Sequence, residues 1–440
     1  MSKLAILGGE KLTHRSIEAN IKWPIVNRAM EEGVLSVLRD GNMSGTDITK
    51  QFEKEFAKWN GTRYALAHSS GTASLQAAMF GVGLGHGDEL ICPSTTYWAS
   101  GLPAISLGSS VVFADIDPVT LCLDPADFEK RITPRTKAVV VVHYSAYPAD
   151  MDEIMAIARK HNIKVIEDVS HAQGALYKGK MVGTIGDVGA MSLMSGKSFA
   201  IGEGGILVTD NQEIYERAVL WGHYERGSEI TLPGLAEYKG LPCGGYKYRM
   251  HQLSSVVGLE QLKKYDSECA VIDKAMKYFW DGLKDLPLGS HIPAAANSSK
   301  GGWYACKGLY NPDAFEGLSL KYFIDAITAE GGQGFTAGCA APLHVRNLFH
   351  TMDIYNEGKP ANTANLPADA EPINEIGSLP VAETINEYVF AIPWFKHFDR
   401  LLIDEQIAAV RKVCENYKDL LASDPKEKVR GKLFQTARKN

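Results

Sequence analysis

Short, mainly apolar runs alternate with helical patterns between Arg63 and Asp168. The runs have four to six residues each, as buried strands do, and lie at 64–67, 89–92, 110–114, 138–143 and 163–168. Between them, apolar residues recur every three or four positions, as at Leu75, Met79 and Val82, which predicts helices. The alternation predicts an α/β fold with a mostly parallel sheet and helices on both faces.

The bounds of two predicted helices can be read from the sequence. Trp98–Leu107 is predicted to form one helix, and residues 150–161 are predicted to form another. Asp150 and Glu153 have the spacing of a capping box at the start of the second helix. Ligands of α/β folds bind at the carboxyl ends of parallel strands, so functional residues are expected directly after the apolar runs.

After Asp187 the pattern changes to apolar segments joined by glycines. Loop-forming residues predict long loops at 223–245, 286–302 and 356–380, and apolar periodicity predicts helices at 251–265 and 403–421. We predict an N-terminal arm at 1–30, a large domain at 31–265, a smaller C-terminal domain at 266–425 and a basic tail at 426–440. The last 17 residues hold six basic and two acidic side chains, which predicts a solvated, frayed end.

Composition excludes several classes of protein. The 440 residues are 45% hydrophobic and 22% charged, which is typical of globular proteins and not of disordered ones. The net charge of -6 provides no overall positive field for nucleic acid, and no apolar run approaches the roughly 20 residues of a membrane span. Seven scattered cysteines without a C-x-x-C pair indicate a reducing compartment and neither a disulfide framework nor a zinc site. We therefore expect a cytoplasmic protein with no metal, membrane or nucleic-acid partner.

The first candidate for chemistry is Ser69-Ser70-Gly71-Thr72, at the junction of a predicted strand and a predicted helix. Small residues there expose backbone N–H groups at a helix N-terminus, which is a natural phosphate site. The same residues are also common as a simple helix cap, and taken alone the motif favours that interpretation.

Two further candidates follow along the chain. Asp168 stands at the end of a predicted central strand, where α/β folds hold ligands, although a surface turn would also suit an acid there. Lys197 is flanked by small residues in an otherwise apolar segment bounded by glycines. Such a lysine is either a solvated charge or, in an apolar pocket, an amine whose pKa is lowered and which acts as a nucleophile.

Together the three candidates match the needs of pyridoxal 5′-phosphate. That cofactor requires an anion cradle for its phosphate, a carboxylate on its pyridine nitrogen and a lysine for covalent attachment. The turn at 70–72, Asp168 and Lys197, which follows Asp168 by 29 residues, supply one of each.

At this point the chain resembles the DegT/DnrJ/EryC1/StrS aminotransferases. The resemblance is close over about residues 30–265 and looser beyond, and it is carried by Gly41–Gly45, Ser69–Ala73, Gly87–Glu89, Pro93–Tyr97, Asp115–Asp117, Asp150–Asp152, Glu167–Ala172, Lys197, Gly202–Gly205 and Tyr248–Met250. It implies a pyridoxal-phosphate enzyme of fold type I, with a mostly parallel seven-stranded sheet flanked by helices and a smaller C-terminal α/β domain. It also implies transfer of an amino group from glutamate or glutamine to a keto sugar or keto cyclitol.

The resemblance also assigns roles to residues. Lys197 matches the lysine that carries the cofactor, and Asp168 matches the partner of the pyridine nitrogen. The other matches are His171 for the phenolic oxygen, Gly71, Thr72 and Ser192 for the phosphate, and Tyr97 for stacking on the ring. A core aromatic remains the alternative for Tyr97, and a structural histidine for His171.

The resemblance also implies a homodimer with shared active sites, and this chain departs from the family pattern at a residue of the shared site. Many relatives have asparagine where this chain has Lys247, and that asparagine reaches the phosphate held by the partner subunit. A lysine can serve the same phosphate as a point charge, or it can be a surface residue.

The sequence argues against some alternatives to an aminotransferase and leaves others open. The glycines at 81–85 suggest a dinucleotide site, but they follow a predicted helix instead of a strand, which is the wrong context. Lys197 disfavours the branch of the family that has histidine there and acts as a dehydratase. A branch that makes an aromatic amino acid, and a regulator or sensor that keeps the fold without catalysis, remain alternatives.

Overall fold

The predicted apolar runs form strands whose ends lie within two residues of the predicted ones. The computed structural model of the protein describes residues 3–367 and 374–431. Its strands are β1 (Tyr64–His68), β2 (Glu89–Pro93), β3 (Ser110–Ala114), β4 (Thr136–Val142), β5 (Lys164–Asp168), β6 (Leu176–Tyr177), β7 (Lys180–Met181), β8 (Val188–Ser192), β9 (Gly205–Thr209), β10 (Leu288–Ser290), β11 (Lys307–Tyr310), β12 (Thr336–Ala337) and β13 (Val389–Ala391).

Seven of these strands form one sheet in the order β1-β9-β8-β5-β4-β2-β3. The five strands from β8 to β3 are parallel, whereas β9 pairs antiparallel with both β1 and β8. The mostly parallel seven-stranded sheet is therefore confirmed. Asp168 ends β5 and Ser192 ends β8, so both residues lie at the carboxyl edge of the parallel strands.

Helices connect and flank the strands. They are α1 (Glu18–Ile21), α2 (Arg28–Arg39), α3 (Asp47–Asn60), α4 (Gly71–Gly81), α5 (Pro125–Lys130), α6 (Met151–His161), α7 (Gln212–Gly222), α8 (Pro233–Ala236), α9 (Gln252–Leu262), α10 (Tyr265–Asp281), α11 (Leu320–Ala329), α12 (Asn347–His350), α13 (Pro380–Thr384) and α14 (Arg400–Glu415). The glycines at 81–85 begin at the last residue of α4, so they lack the strand that a dinucleotide fingerprint requires before it.

Several local predictions are wrong. The stretch 98–107 forms two 3₁₀ helices in place of one helix, because Pro103 has no N–H group and disfavours the α conformation in the residue before it. Asp150 precedes α6 but does not cap it, since its Oδ1 accepts a hydrogen bond from the Tyr177 hydroxyl at 2.8 Å. The predicted helix at 403–421 divides into α14 and a 3₁₀ helix over Tyr417–Ser423.

A second sheet has four antiparallel strands in the order β10-β11-β13-β12. One cluster of buried side chains covers the seven-stranded sheet, and another joins this second sheet to α10, α11 and α14. Leu4 and Ile17 of the predicted N-terminal arm belong to the second cluster, whereas Cys339 and Phe349 belong to the first. The chain thus crosses between the two cores more than once, and the predicted domain limits stay predictions.

Residues 432–440 of the predicted basic tail lie outside the described residues. Across residues 3–367 and 374–431, no helix combines the length and the apolar character that crossing a membrane requires.

Candidate active site

Helix α4 begins at the carboxyl edge of the large sheet. Its N-cap is Ser70, whose Oγ accepts a hydrogen bond from the N–H group of Ala73 at 3.1 Å. The first N–H groups of a helix have no partner within it, and no described residue accepts a bond from those of Gly71 and Thr72. Two free N–H groups at the positive end of the helix dipole suit a phosphate.

The start of α4 packs tightly against the end of β8. A Cβ atom on Gly71 would lie 2.5 Å from Cβ of Ser192, and one on Gly205 would lie 2.3 Å from the carbonyl oxygen of Ser70. Both distances are shorter than non-bonded contacts allow, so both positions require glycine. The packing brings Ser192 beside the free N–H groups of Gly71 and Thr72, so the three predicted phosphate ligands lie together.

Asp168 is the last residue of β5 and is buried. Its Oδ2 accepts a hydrogen bond from Ser100 Oγ at 2.7 Å, and its Oδ1 accepts one from the Ser170 N–H group at 3.0 Å. Because a carboxylate can accept about four hydrogen bonds, these two fix its orientation and leave capacity for a further donor. A protonated ring nitrogen is such a donor.

Lys197 lies in the loop between β8 and β9 and is 8% exposed. Its N–H group donates to the carbonyl oxygen of Met194 at 2.8 Å, which closes a tight turn. Burial lowers the pKa of Lys197 to about 8, although the charge of Asp168 opposes the shift. A larger fraction of this lysine is therefore an uncharged amine at neutral pH than for an exposed lysine.

His171 lies three residues beyond β5 and is partly buried. Its Nδ1 faces the N–H group of Ser145 at 3.3 Å, so Nδ1 accepts and the proton of the neutral ring resides on Nε2. Burial, together with the charges of Lys197 and Lys307, holds the pKa of His171 well below its usual range. The side chain is thus a neutral donor through Nε2.

Two tyrosines complete the group. Tyr97 is partly buried and packs on Trp98, with 4.9 Å between the ring centroids. Sequence reasoning missed Tyr304, whose ring centroid is 4.3 Å from Lys197 Nζ and 4.8 Å from the centroid of His171. The one available signal was an aromatic pair, Trp303 and Tyr304, directly after two glycines at the end of a predicted loop.

Lys247 stands apart from these residues. It is exposed, and no described site residue forms a hydrogen bond or ion pair with it. The adjoining backbone nevertheless runs beside the phosphate cradle, because the carbonyl oxygen of Tyr248 accepts a bond from Ser69 N–H at 2.7 Å and Arg249 bridges to His68. The side chain is thus exposed on a segment that adjoins the start of α4.

Comparison with known proteins identifies the class and the family. The model of the DegT/DnrJ/EryC1/StrS aminotransferase family matches residues 25–400. The L-glutamine:2-deoxy-scyllo-inosose aminotransferase of Streptoalloteichus tenebrarius is 32% identical over 420 residues, which cover 91% of this chain and 95% of that protein. The GDP-perosamine synthase of Caulobacter vibrioides is 38% identical over 306 residues, which cover 69% of this chain and 76% of that protein.

The fold of a solved aminotransferase structure is also similar to that of this chain. The aminotransferase from Psychrobacter cryohalolentis superposes with a TM-score of 0.75 at 27% identity, covering 90% of this chain and 99% of its own. The protein is an aminotransferase. It belongs to the DegT/DnrJ/EryC1/StrS family, which confirms the resemblance drawn from the motifs.

Family membership implies pyridoxal 5′-phosphate, and the described residues fit that group. The free N–H groups of Gly71 and Thr72 suit its phosphate, the buried carboxylate of Asp168 suits its ring nitrogen, and the amine of Lys197 suits its carbonyl carbon. The close contact with Ser192 requires glycine at position 71. The cradle therefore has no side chain at that position, as a bound phosphate would require.

Proposed function

We propose that this protein uses pyridoxal 5′-phosphate to move an amino group from glutamine or glutamate to a keto sugar or a keto cyclitol. The observation that carries the proposal is a buried lysine, Lys197, beside a strand-end carboxylate, Asp168, and a helix N-terminus with free N–H groups at Gly71 and Thr72. The bound cofactor supplies an electron sink for the bond-breaking steps at the substrate carbon.

The binding groups have separate tasks. The N–H groups of Gly71 and Thr72 and the hydroxyl of Ser192 hold the phosphate, which fixes the cofactor at one end. Asp168 keeps the ring nitrogen protonated, because its carboxylate is oriented by Ser100 and Ser170 and accepts a third hydrogen bond.

Two more side chains bind the cofactor ring. His171 donates through Nε2 to the phenolic oxygen, a task that its neutral ring can perform at any pH above its lowered pKa. Tyr97 packs on the ring face, and it is partly buried beside Asp168's partner Ser100 in the following 3₁₀ helix. These contacts orient the ring relative to Lys197.

Lys197 also moves the proton. Once a substrate amine has displaced it, its side chain is a free amine next to the substrate carbon. Since its pKa lies near 8, it takes up a proton readily and also releases one at neutral pH, which a general acid–base group must do. With the cofactor bound, Lys197 Nζ would take the proton that leaves the α-carbon of the amino donor and would return it to the cofactor carbon that receives the amino group.

The substrate class rests on relatives. One relative is named as an L-glutamine:2-deoxy-scyllo-inosose aminotransferase and another as a GDP-perosamine synthase, so the former takes a cyclitol and the latter makes a nucleotide-linked amino sugar. We propose an acceptor of the same kind, a polyhydroxylated six-membered ring with one ketone, and glutamine or glutamate as the donor.

The proposal includes a homodimer with shared active sites. Lys247 is exposed on a backbone segment that adjoins the phosphate cradle. In the proposed dimer, its ammonium contacts the phosphate held by the second subunit as a point charge. Exposed apolar residues that precede Lys247 in the chain suit burial in such an interface, among them Tyr238 and Leu241.

The experiment uses the purified chain loaded with pyridoxal 5′-phosphate. Glutamine and glutamate are offered separately, and the yellow colour is expected to bleach with at least one of them. Addition of a keto cyclitol or a nucleotide keto sugar then restores the colour and yields the amino product. The Lys197→Ala variant is the control and remains unresponsive. Failure of every donor to bleach the wild-type colour would refute the proposed reaction.

A further inference from the structure

Tyr304 lies directly on the lysine of the candidate site. Lys197 Nζ is 4.3 Å from the centroid of its ring. The ring also contacts His171, with 4.8 Å between centroids, and meets Trp394 edge to face at 5.7 Å. The ring of Tyr304 therefore lies between Lys197 and Trp394 and contacts both.

The backbone around Tyr304 is unusual. Trp303 has φ of 56° and Ala305 has φ of 55°, so both flanking residues adopt the left-handed conformation that side chains disfavour. Conformations of this kind persist where the surroundings hold them in place, and they concentrate at functional sites. Here they turn the single residue between them toward Lys197.

The surroundings that hold the loop are evident. A Cβ atom on Gly302 would lie 2.3 Å from Cβ of Ser198, the residue after Lys197, so the loop touches the lysine segment through its backbone. Trp394 Nε1 donates to the carbonyl oxygen of Gly302 at 3.0 Å. Trp303 is buried in the second core, where its Nε1 donates to Asp273 at 3.0 Å. The position of Tyr304 is thus fixed by the lysine segment and by the second core.

We propose that Tyr304 is a positioning residue for Lys197, whose ring face attracts the charged form of the amine and keeps Nζ in place for proton transfer. The inference rests on the proposed function. An ammonium within about 6 Å of a tyrosine ring is attracted by the negative face of the ring, most strongly where water is excluded. This attraction opposes the burial that disfavours the charge.

Both forms of Lys197 must be populated if it is to accept and release a proton at neutral pH. Among the described residues, Asp168, His171 and Tyr304 interact with its amine. Asp168 and the ring of Tyr304 favour the ammonium, the neutral His171 adds no charge, and burial favours the free amine. Tyr304 thereby helps to set the balance between the two forms.

The test measures the titration of Lys197 in the full chain without cofactor. Samples at a series of pH values are labelled briefly with acetic anhydride, which reacts with the free amine, and labelling of the Lys197 peptide is quantified by mass spectrometry. Tyr304→Phe keeps the ring, whereas Tyr304→Leu and Tyr304→Met fill the space without one. We expect the midpoint to stay unchanged in the Phe variant and to fall by about one pH unit in the other two.

Tyr147→Leu is the matched control, because Tyr147 is a half-buried tyrosine whose ring faces a different lysine, Lys300, at 5.7 Å. Its Lys197 midpoint is expected to equal that of the wild type. Thermal unfolding shows whether each of the two ring-free variants is folded. The Lys197 midpoint is compared in every variant that is folded.

An unchanged or raised midpoint in a folded ring-free variant overturns the inference, and so does an equal fall in Tyr304→Phe. Because the labelling needs no cofactor, its result is independent of whether the proposed aminotransferase reaction occurs. Titration of the colour of the loaded enzyme provides the second readout, and a shift in the same direction is expected.

Discussion

The contact between Gly71 and Ser192 joins the first turn of α4 to the end of β8, since a Cβ atom on Gly71 would lie 2.5 Å from Cβ of Ser192. Residues 121 positions apart in the chain thereby form one edge of the phosphate cradle. The contact explains why the helix can present free N–H groups where a serine hydroxyl is also available.

Gly71→Ala tests the cradle. The added methyl group overlaps the backbone and Cβ of Ser192, so we expect a loss of about 1–3 kcal/mol in the free energy of unfolding and weaker binding of pyridoxal 5′-phosphate. Gly85→Ala is the matched control, because open space surrounds Gly85 and the variant should behave like the wild type. Chemical denaturation and cofactor titration measure both effects. Normal cofactor affinity in Gly71→Ala would contradict the assignment.

Asp168→Asn tests the electron sink. The amide cannot keep the ring nitrogen protonated, so the variant should bind the cofactor but transaminate much more slowly. We expect kcat to fall by more than about tenfold, which corresponds to roughly 1.4 kcal/mol of barrier. Asp150→Asn serves as a control, because Asp150 bonds to Tyr177 outside the site. A smaller fall in kcat for Asp168→Asn would show that this role is wrong.

The lowered pKa of Lys197 has a consequence for stability. Its pKa falls from the usual value near 10.4 to about 8, so between those values the unfolded chain binds more protons than the folded chain. Stability therefore rises with pH across this window, and the burial cost is fully present below pH 8.

Lys197→Met should remove that cost. Without cofactor, we expect the variant to be more stable than the wild type by about 1–3 kcal/mol at pH 7, with the difference shrinking as pH rises from about 8 to about 10.4. Urea unfolding at several pH values measures it. A constant difference across this range would mean that the lysine charge is not the cause.

Subunit exchange tests Lys247. A Lys197→Ala chain keeps Lys247, and a Lys247→Glu chain keeps Lys197, so only a mixed dimer contains one complete site. Random mixing of the two inactive variants should restore about a quarter of the wild-type activity, because half of the dimers are mixed and each has one good site of two. No recovery, with exchange shown independently by native mass spectrometry, would mean that Lys247 does not act across the interface.

Sequence predicted the parts of the site that are local in the chain. Gly71 follows the end of β1 and Asp168 ends β5, and the periodicity of the chain located both of those ends within two residues, whereas Ser192 was found through the family resemblance. The sheet order then brings them together, because parallel strands end at one edge. Lys197 was found through its flanking small residues and its distance from Asp168.

Tyr304 could not be found in that way. It comes from the loop before β11, in the second sheet, and its place beside Lys197 depends on long-range packing of Gly302 and Trp303. Left-handed backbone at Trp303 and Ala305 has no sequence pattern, since glycine is the residue that usually marks it. The failed cap at Asp150 has the same origin, because a distant tyrosine competes for the side chain.

Two other lysines share the lowered pKa of Lys197: Lys300, which is buried, and Lys396, which is partly buried. Burial also lowers the pKa of Lys300 to about 7 and that of Lys396 to about 8, so a lowered pKa alone does not identify the residue that carries the cofactor. The neighbouring charge does, because among these three lysines only Lys197 has its pKa raised by the carboxylate of Asp168.

Reduction of the loaded enzyme with borohydride, followed by digestion and mass spectrometry, tests this central claim most directly, because it fixes the cofactor to the amine that holds it. We predict the pyridoxyl group on Lys197 alone, and its absence when glutamine or glutamate is added before the reductant. A pyridoxyl group on Lys300 or Lys396 in place of Lys197, or no labelled lysine at all, would contradict the account.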